Sequence, residues 1–292
     1  MQTNSSSFLL NEKGTAKAVV YYFSSTGNSL VVARNIAKKI NGTLVPIASE
    51  LKKDKIRVEA DVVGIVFPVY YATNDCGVSL IMGRFVEKLE NLGSKYVFAV
   101  CTHSGMPGST IENFKKRLEC RGGKLACGFV LKMKNKKLPV AKQQKQHIEM
   151  ENKVGMICDY VVARKEGKFE TRGLLRKIVL APLRGLEKLV FPYRYRKLSG
   201  VANLPFWELV PLADNSYRVN SKCNGCGICA KVCPVDNIKI VDGKPTWLHH
   251  CETCYACYTW CPNGAIYGNI VEYNDHYHHP QIRLSDMLRT ER

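Results

Sequence analysis

Hydrophobic and polar positions follow two rhythms along the first half of the chain. Residues 17–23 (KAVVYYF), 61–67 (DVVGIVF), 95–102 (KYVFAVCT) and 124–133 (KLACGFVLKM) are nearly continuous apolar runs rich in β-branched residues. That is the pattern of strands covered on both faces in a parallel sheet. TLVPI at 43–47 reads as a fifth, shorter strand. Between them, residues 27–40, 77–92 and 109–121 read as helices. Five strands alternating with helices predict an α/β doubly wound sheet. A further helix is expected over 142–166, with Ile148, Val154, Ile157, Cys158 and Val161 near helical spacing.

The pattern then changes. Residues 172–198 (RGLLRKIVLAPLRGLEKLVFPYRYRKL) form a basic amphipathic segment, in which Pro182 is expected to kink the helix and Pro192 to end it. It reads as a helical bridge between two domains, with contact to a membrane surface as the weaker alternative. Residues 199–216 form a Pro- and Asn-containing connector. No apolar run is long enough to span a membrane. The first 16 residues lack the basic start and apolar core of a signal peptide, so a cytoplasmic protein is expected.

Downstream of the connector the chain repeats itself. Cys223, Cys226, Cys229 and Cys233 form a C-x2-C-x2-C-x3-C-P run, and Cys251, Cys254, Cys257 and Cys261 form the same run again. Eight of the 13 cysteines lie here, while Cys76, Cys101, Cys120, Cys127 and Cys158 are scattered and read as buried or idle thiols. Clustered thiols without an export signal favour metal over disulfides. Zinc sites pair two C-x-x-C knuckles, whereas three cysteines at intervals of two suit a cubane iron–sulfur cluster whose fourth ligand comes from the other run. One 4Fe–4S cluster is thus expected on Cys223, Cys226, Cys229 and Cys261, and a second on Cys233, Cys251, Cys254 and Cys257. Residues 217–271 resemble a bacterial two-cluster ferredoxin, a small α+β domain. The apolar turns after Asp236 and Gly264 match those that pack on such clusters.

The first strand ends in the hinge Ser24-Ser25-Thr26-Gly27-Asn28-Ser29, rich in hydroxyls and free of charge, at the mouth of a helix. Helix N-termini favour anions, and a phosphate is the usual one. Neither a P-loop nor a G-x-G-x-x-G dinucleotide fingerprint is present. The hinge resembles the phosphate loop of the flavodoxin family, which implies FMN as the ligand of Ser24, Ser25, Thr26, Gly27, Asn28 and Ser29. In that family the flavin ring lies between the loops after the third and fourth strands. These begin here at Pro68, Tyr70 and Tyr71, and at Thr102, His103 and Gly105. The resemblance makes Tyr70 or Tyr71 the stacking ring and His103 a partner of the flavin.

The order of parts is similar to the EFR-type ferrodoxin family, a flavodoxin-like domain fused to a two-cluster ferredoxin. The expected layout is a flavodoxin-like domain at 15–141, a helical bridge and connector at 142–216, the cluster module at 217–271 and a tail at 272–292. The leading function is electron transfer between two 4Fe–4S clusters and FMN and on to a redox partner. The alternative is a ferredoxin-fed FMN reductase acting on a quinone or nitro compound. Charge refines the partner: of the net +18, residues 1–141 carry +11 and residues 142–216 carry +6. An acidic partner protein is expected, whereas the dispersed lysines lack the aromatic interleaving of a nucleic-acid binder. His249, His250, His276, His278 and His279 read as residues behind the ligands or in solvent, because all eight ligand positions hold cysteine.

Overall fold

The computed structural model describes residues 17–70, 77–134, 136, 138–170, 181–272 and 275–288, and only the backbone of 181–189. Strands β1 (Ala18–Tyr22), β2 (Thr43–Pro46), β3 (Val62–Pro68), β4 (Tyr96–His103) and β5 (Leu125–Lys132) form one sheet in the order β2-β1-β3-β4-β5. All neighbours are parallel, with Tyr22 beside Val66 and Phe67 beside Cys101. This order is the flavodoxin-like doubly wound fold, whose ligands sit outside the carboxyl ends of the strands near β1 and β3. Helices α1 (Asn28–Lys39), α2 (Leu80–Lys88) and α3 (Thr110–Glu119) connect the strands.

The continuous apolar runs are buried as their pattern requires: every residue of Val62–Phe67 and of Tyr96–Thr102 is buried. On α1, Leu30, Val31, Val32 and Ile36 are buried, each contributing about 1.5–3 kcal/mol by leaving water. Helix α4 (Val140–Val162) packs on α1 through Met150, Val154, Ile157, Cys158 and Val161. Ile148 is 57% exposed, because a residue two positions before Met150 lies off that stripe.

Helix α5 (Ala181–Ser199) departs from expectation: Pro192 stands inside it and does not end it. Pro182, where a kink is expected, stands at the edge of the described residues. An interior proline costs about 3 kcal/mol. Here packing offsets it, since Phe191 and Tyr195 meet Phe206 edge-on with ring centroids 6.4 and 5.1 Å apart, and Phe206 meets Trp207 at 4.9 Å. Phe206 and Trp207 belong to α6 (Phe206–Leu212). No described helix is long and apolar enough to cross a membrane. The membrane-surface reading of 172–198 lies largely outside the described residues.

The cysteine-rich module is small and two-fold in pattern. Strand β6 (Tyr217–Val219) pairs antiparallel with β9 (Ile266–Gly268). Strands β7 (Ile238–Val241) and β8 (Lys244–Trp247) form a hairpin between the cysteine runs. Its turn, Asp242-Gly243, has φ of 50° and 73°, the left-handed pair that a tight hairpin requires. A helix of one turn lies within each run, α7 (Ile228–Lys231) holding Cys229 and α8 (Ala256–Thr259) holding Cys257. Val232, Cys254, Ala256 and Trp260 share the apolar core of the large sheet.

Candidate functional site

The internal repeat is visible in the backbone. Gly225 and Gly227 have φ of 73° and 72°, and the equivalent Thr253 and Tyr255 have 49° and 64°. After each run, Asp236 and Gly264 match at 55° and 54°. A residue with a side chain in this region costs about 1–2 kcal/mol, so the second loop is held there by its surroundings. In that conformation each loop turns its thiols inward. Cys223, Cys226, Cys229 and Cys261 line one cavity; Cys233, Cys251, Cys254 and Cys257 line a second. The fourth cysteine of each run has thus crossed to the other's cavity. Backbone N–H groups already aim at sulfur: Ala265 at Cys261 (3.3 Å), Asn237 at Cys233 (3.3 Å) and Thr253 at Cys251 (3.2 Å). Burial pushes the Cys251 and Cys254 thiols well above their ordinary values. Four thiolates in such a place need bound positive charge to exist, which is what a metal centre supplies. Among the described residues no three His, Cys, Asp or Glu gather as a single-ion site.

The two cavities differ in setting. Cys226 is exposed and Cys223 partly so, whereas all four thiols of the second set are buried. The second, inner set lies against the large domain. Next to Cys251, the buried Glu252 carboxylate accepts from the Ile81 amide in the first turn of α2 (2.8 Å) and pairs with Arg84. Burial raises the Glu252 carboxyl while Arg84 pulls it down. Tyr70 packs against both apolar cores, and its hydroxyl bonds Ser25 Oγ at 2.8 Å.

The hinge lies at the β1–α1 turn. Gly27, at φ 89°, caps α1, and no side chain caps that helix. A cavity opens there, lined by Ser24, Ser25, Thr26, Asn28, Ser29, Pro68, Tyr70, Thr102 and His103. Ser29 and Thr102 share a buried hydroxyl pair at 2.8 Å. One O–H of such a pair is committed and the other is free to meet an anion. The site suits a phosphate held by neutral donors at a helix mouth. His103 bonds the Gly105 carbonyl through Nδ1 (3.0 Å), and burial lowers its pKa. Gly105 itself is exposed and does not line the cavity. Tyr71, the alternative stacking ring, lies outside the described residues.

The tail holds residues whose part in the site the sequence did not reveal. Over 276–279 it runs between the modules, with His276 and His278 toward the cluster module and Tyr277 and the His279 amide toward the hinge. His276 stacks on Tyr258 (3.8 Å) and His278 on Trp260 (4.6 Å). On the hinge side, the His279 amide donates to Thr26 O (2.8 Å), Tyr277 Oη–H donates to Asn28 Oδ1 (3.1 Å), and Ile282 packs on Gly27. Asp286 pairs with Arg34 at 2.9 Å. Burial lowers His279 to about 4, and its Nδ1 accepts from the Gln281 amide, so the ring is neutral. Trp260 completes the seam by donating Nε1–H to Ser25 O at 2.7 Å. Ser25, Asn28 and Ser29 are consequently buried. The only local signal was the aromatic character of the tail, which by itself indicates no partner. Two further histidines serve the module's frame: His249 Nδ1 bonds buried Asp214 (2.8 Å), and His250 meets the Val235 carbonyl (3.1 Å). Of the scattered cysteines, Cys101, Cys127 and Cys158 are buried and Cys120 is exposed.

A family model of the 4Fe-4S dicluster domain matches residues 222–266, the segment holding both cysteine runs. No curated protein matches the chain. Solved structures similar to it include a flavodoxin from Streptococcus pneumoniae TIGR4, 17% identical, over 48% of this chain and 96% of that one, with a TM-score of 0.34. Oxidised flavodoxin 2 from Bacillus cereus is 18% identical over 49% of this chain and 99% of that one, at 0.35. Rubredoxin oxygen:oxidoreductase from Desulfovibrio gigas is 15% identical over 52% of this chain and 38% of that one, at 0.36.

Proposed function

We propose that this protein transfers electrons between two 4Fe–4S clusters and an FMN held at the hinge, and on to an acidic redox partner. The observation that carries the reading is the seam. Tyr70 packs against the core that contains Cys233, Cys251 and Cys257, and it also lines the hydroxyl-rich cavity. Clusters exchange single electrons and FMN stores one or two, so the assembly interconverts one- and two-electron chemistry. In this reading Cys223, Cys226, Cys229 and Cys261 hold the outer cluster, and Cys233, Cys251, Cys254 and Cys257 the inner one. Ser24, Thr26, Ser29 and the first amides of α1 hold the phosphate, with Tyr70 against the ring. Glu252, Trp260 and the tail keep the inner cluster and the cavity at a fixed separation. The order of the modules, and membership of the EFR-type ferrodoxin family, belong to the same proposal, as does a cytoplasmic setting.

Anaerobic purification followed by iron, sulfide and flavin analysis tests it. About eight irons and one FMN per chain are expected. About four irons, stoichiometric zinc or no flavin would refute the corresponding part.

Charge supports an acidic partner on the flavodoxin-like domain. Lys116 and Arg117 are exposed on α3 and Lys115 is partly so, on the domain that carries most of the positive charge. Exchange with an acidic protein is expected to slow as salt rises, because exposed charges are screened within about 10 Å at 0.1 M. Changing Lys115, Lys116 and Arg117 to Glu should slow it likewise with cofactor content unchanged. Salt-independent exchange, or an effect only from changes beside exposed Cys226, would move the docking face to the outer cluster.

A further inference from the structure

Among the described residues, four buried side-chain polar atoms have no partner: Ser79 Oγ, His147 Nδ1, Tyr217 Oη and Trp247 Nε1. Two of the four, Tyr217 and Trp247, line the same cavity, the inner one of Cys233, Cys251, Cys254 and Cys257. They come from different strands, β6 and β8, and their rings stack in parallel, 5.0 Å apart at 11°. An O–H and an N–H buried without an acceptor each forfeit about 1–3 kcal/mol. Protein interiors tolerate such an orphan when an unseen group satisfies it. The outer cavity has no such pair among the described residues.

We infer that Tyr217 and Trp247 donate their hydroxyl and indole hydrogens to sulfur of the inner cluster and raise its reduction potential. This rests on the proposed cluster assignment and extends it. The physical need is specific to the inner site. Adding an electron increases the negative charge of a thiolate-ligated cluster, and burial makes that charge costly. The outer cluster has exposed Cys226 beside it and draws on water. The inner one is buried, so donors from the protein must replace water if it is to accept electrons from its neighbour. Hydrogen bonds to the sulfurs and solvent exposure are among the factors that set cluster potentials. Cys257 lines that same cavity with both rings.

Tyr217→Phe deletes one donor and keeps its ring, and Trp247→Phe deletes the other and keeps an aromatic ring in its place. In anaerobic redox titrations followed by paramagnetic resonance, each should make the inner cluster harder to reduce. A tenfold loss in that equilibrium would appear as about 59 mV for one electron. The outer cluster should not move. Should one substitution cost the cluster, the other still carries the test, with iron counted in the same sample. An inner potential unchanged at full iron content, or equal shifts in both clusters, would overturn the inference. About four irons in the unsubstituted protein would instead overturn the cluster assignment beneath it.

Discussion

Cys233→Ala is expected to destroy the centre built by Cys251, Cys254 and Cys257, although Cys233 belongs to the other run. About half of the iron should be lost, roughly four of eight atoms, with the paramagnetic signal of the outer cluster retained. The reason is topological. The chain leaves the first loop, turns at Pro234 and delivers Cys233 to the inner cavity, where it is 7% exposed. The Asn237 amide holds its sulfur from behind. Cys261→Ala should do the reverse and remove the outer cluster. If Cys233→Ala instead silences the signal of the outer cluster, the pairing is not crossed.

Gly27→Val has the second largest expected effect, and its cause differs from the one the loop alone suggests. Close approach of backbone to a phosphate would by itself require glycine here. The structure adds another reason: a β-carbon at Gly27 would lie 2.9 Å from Ile282 of the tail, at a φ of 89°. A β-branched residue there is strained by about 1–2 kcal/mol, and the clash adds about 1–3 kcal/mol. Together this should lower Tm by several degrees, at roughly 2–4 °C per kcal/mol for a chain of this size. Flavin affinity should fall as well, because the same turn presents the first amides of α1. Adding Ile282→Ala should recover only part of the steric loss, because the Ile282 β-carbon itself lies 2.9 Å away, and it should leave the backbone strain. Unchanged Tm and flavin content in Gly27→Val would remove both the phosphate and the tail from that glycine.

Both modules could be read from residues alone as far as their local patterns go. Parallel strands buried on both faces must be apolar throughout, so β1, β3, β4 and β5 announced themselves, each within two residues of its observed ends. The cysteine runs were equally legible, because ligand spacing within a loop is a local property. Pro192 was misread because an interior proline breaks an isolated helix, and only the aromatic contacts of α5 with α6 offset that cost.

What the sequence by itself determined is what depends on near neighbours in the chain: the doubly wound alternation, the repeated thiol loops and the hydroxyl-rich turn at the mouth of α1. What only the tertiary structure decided depends on residues far apart in the chain. His279 meets Thr26, Trp260 meets Ser25, Glu252 meets Arg84, and Tyr217 lies beside Trp247 over one cavity. Each of these side chains carries no local pattern that names its partner. Folding alone brings them together, the first three pairs at the seam between the two modules.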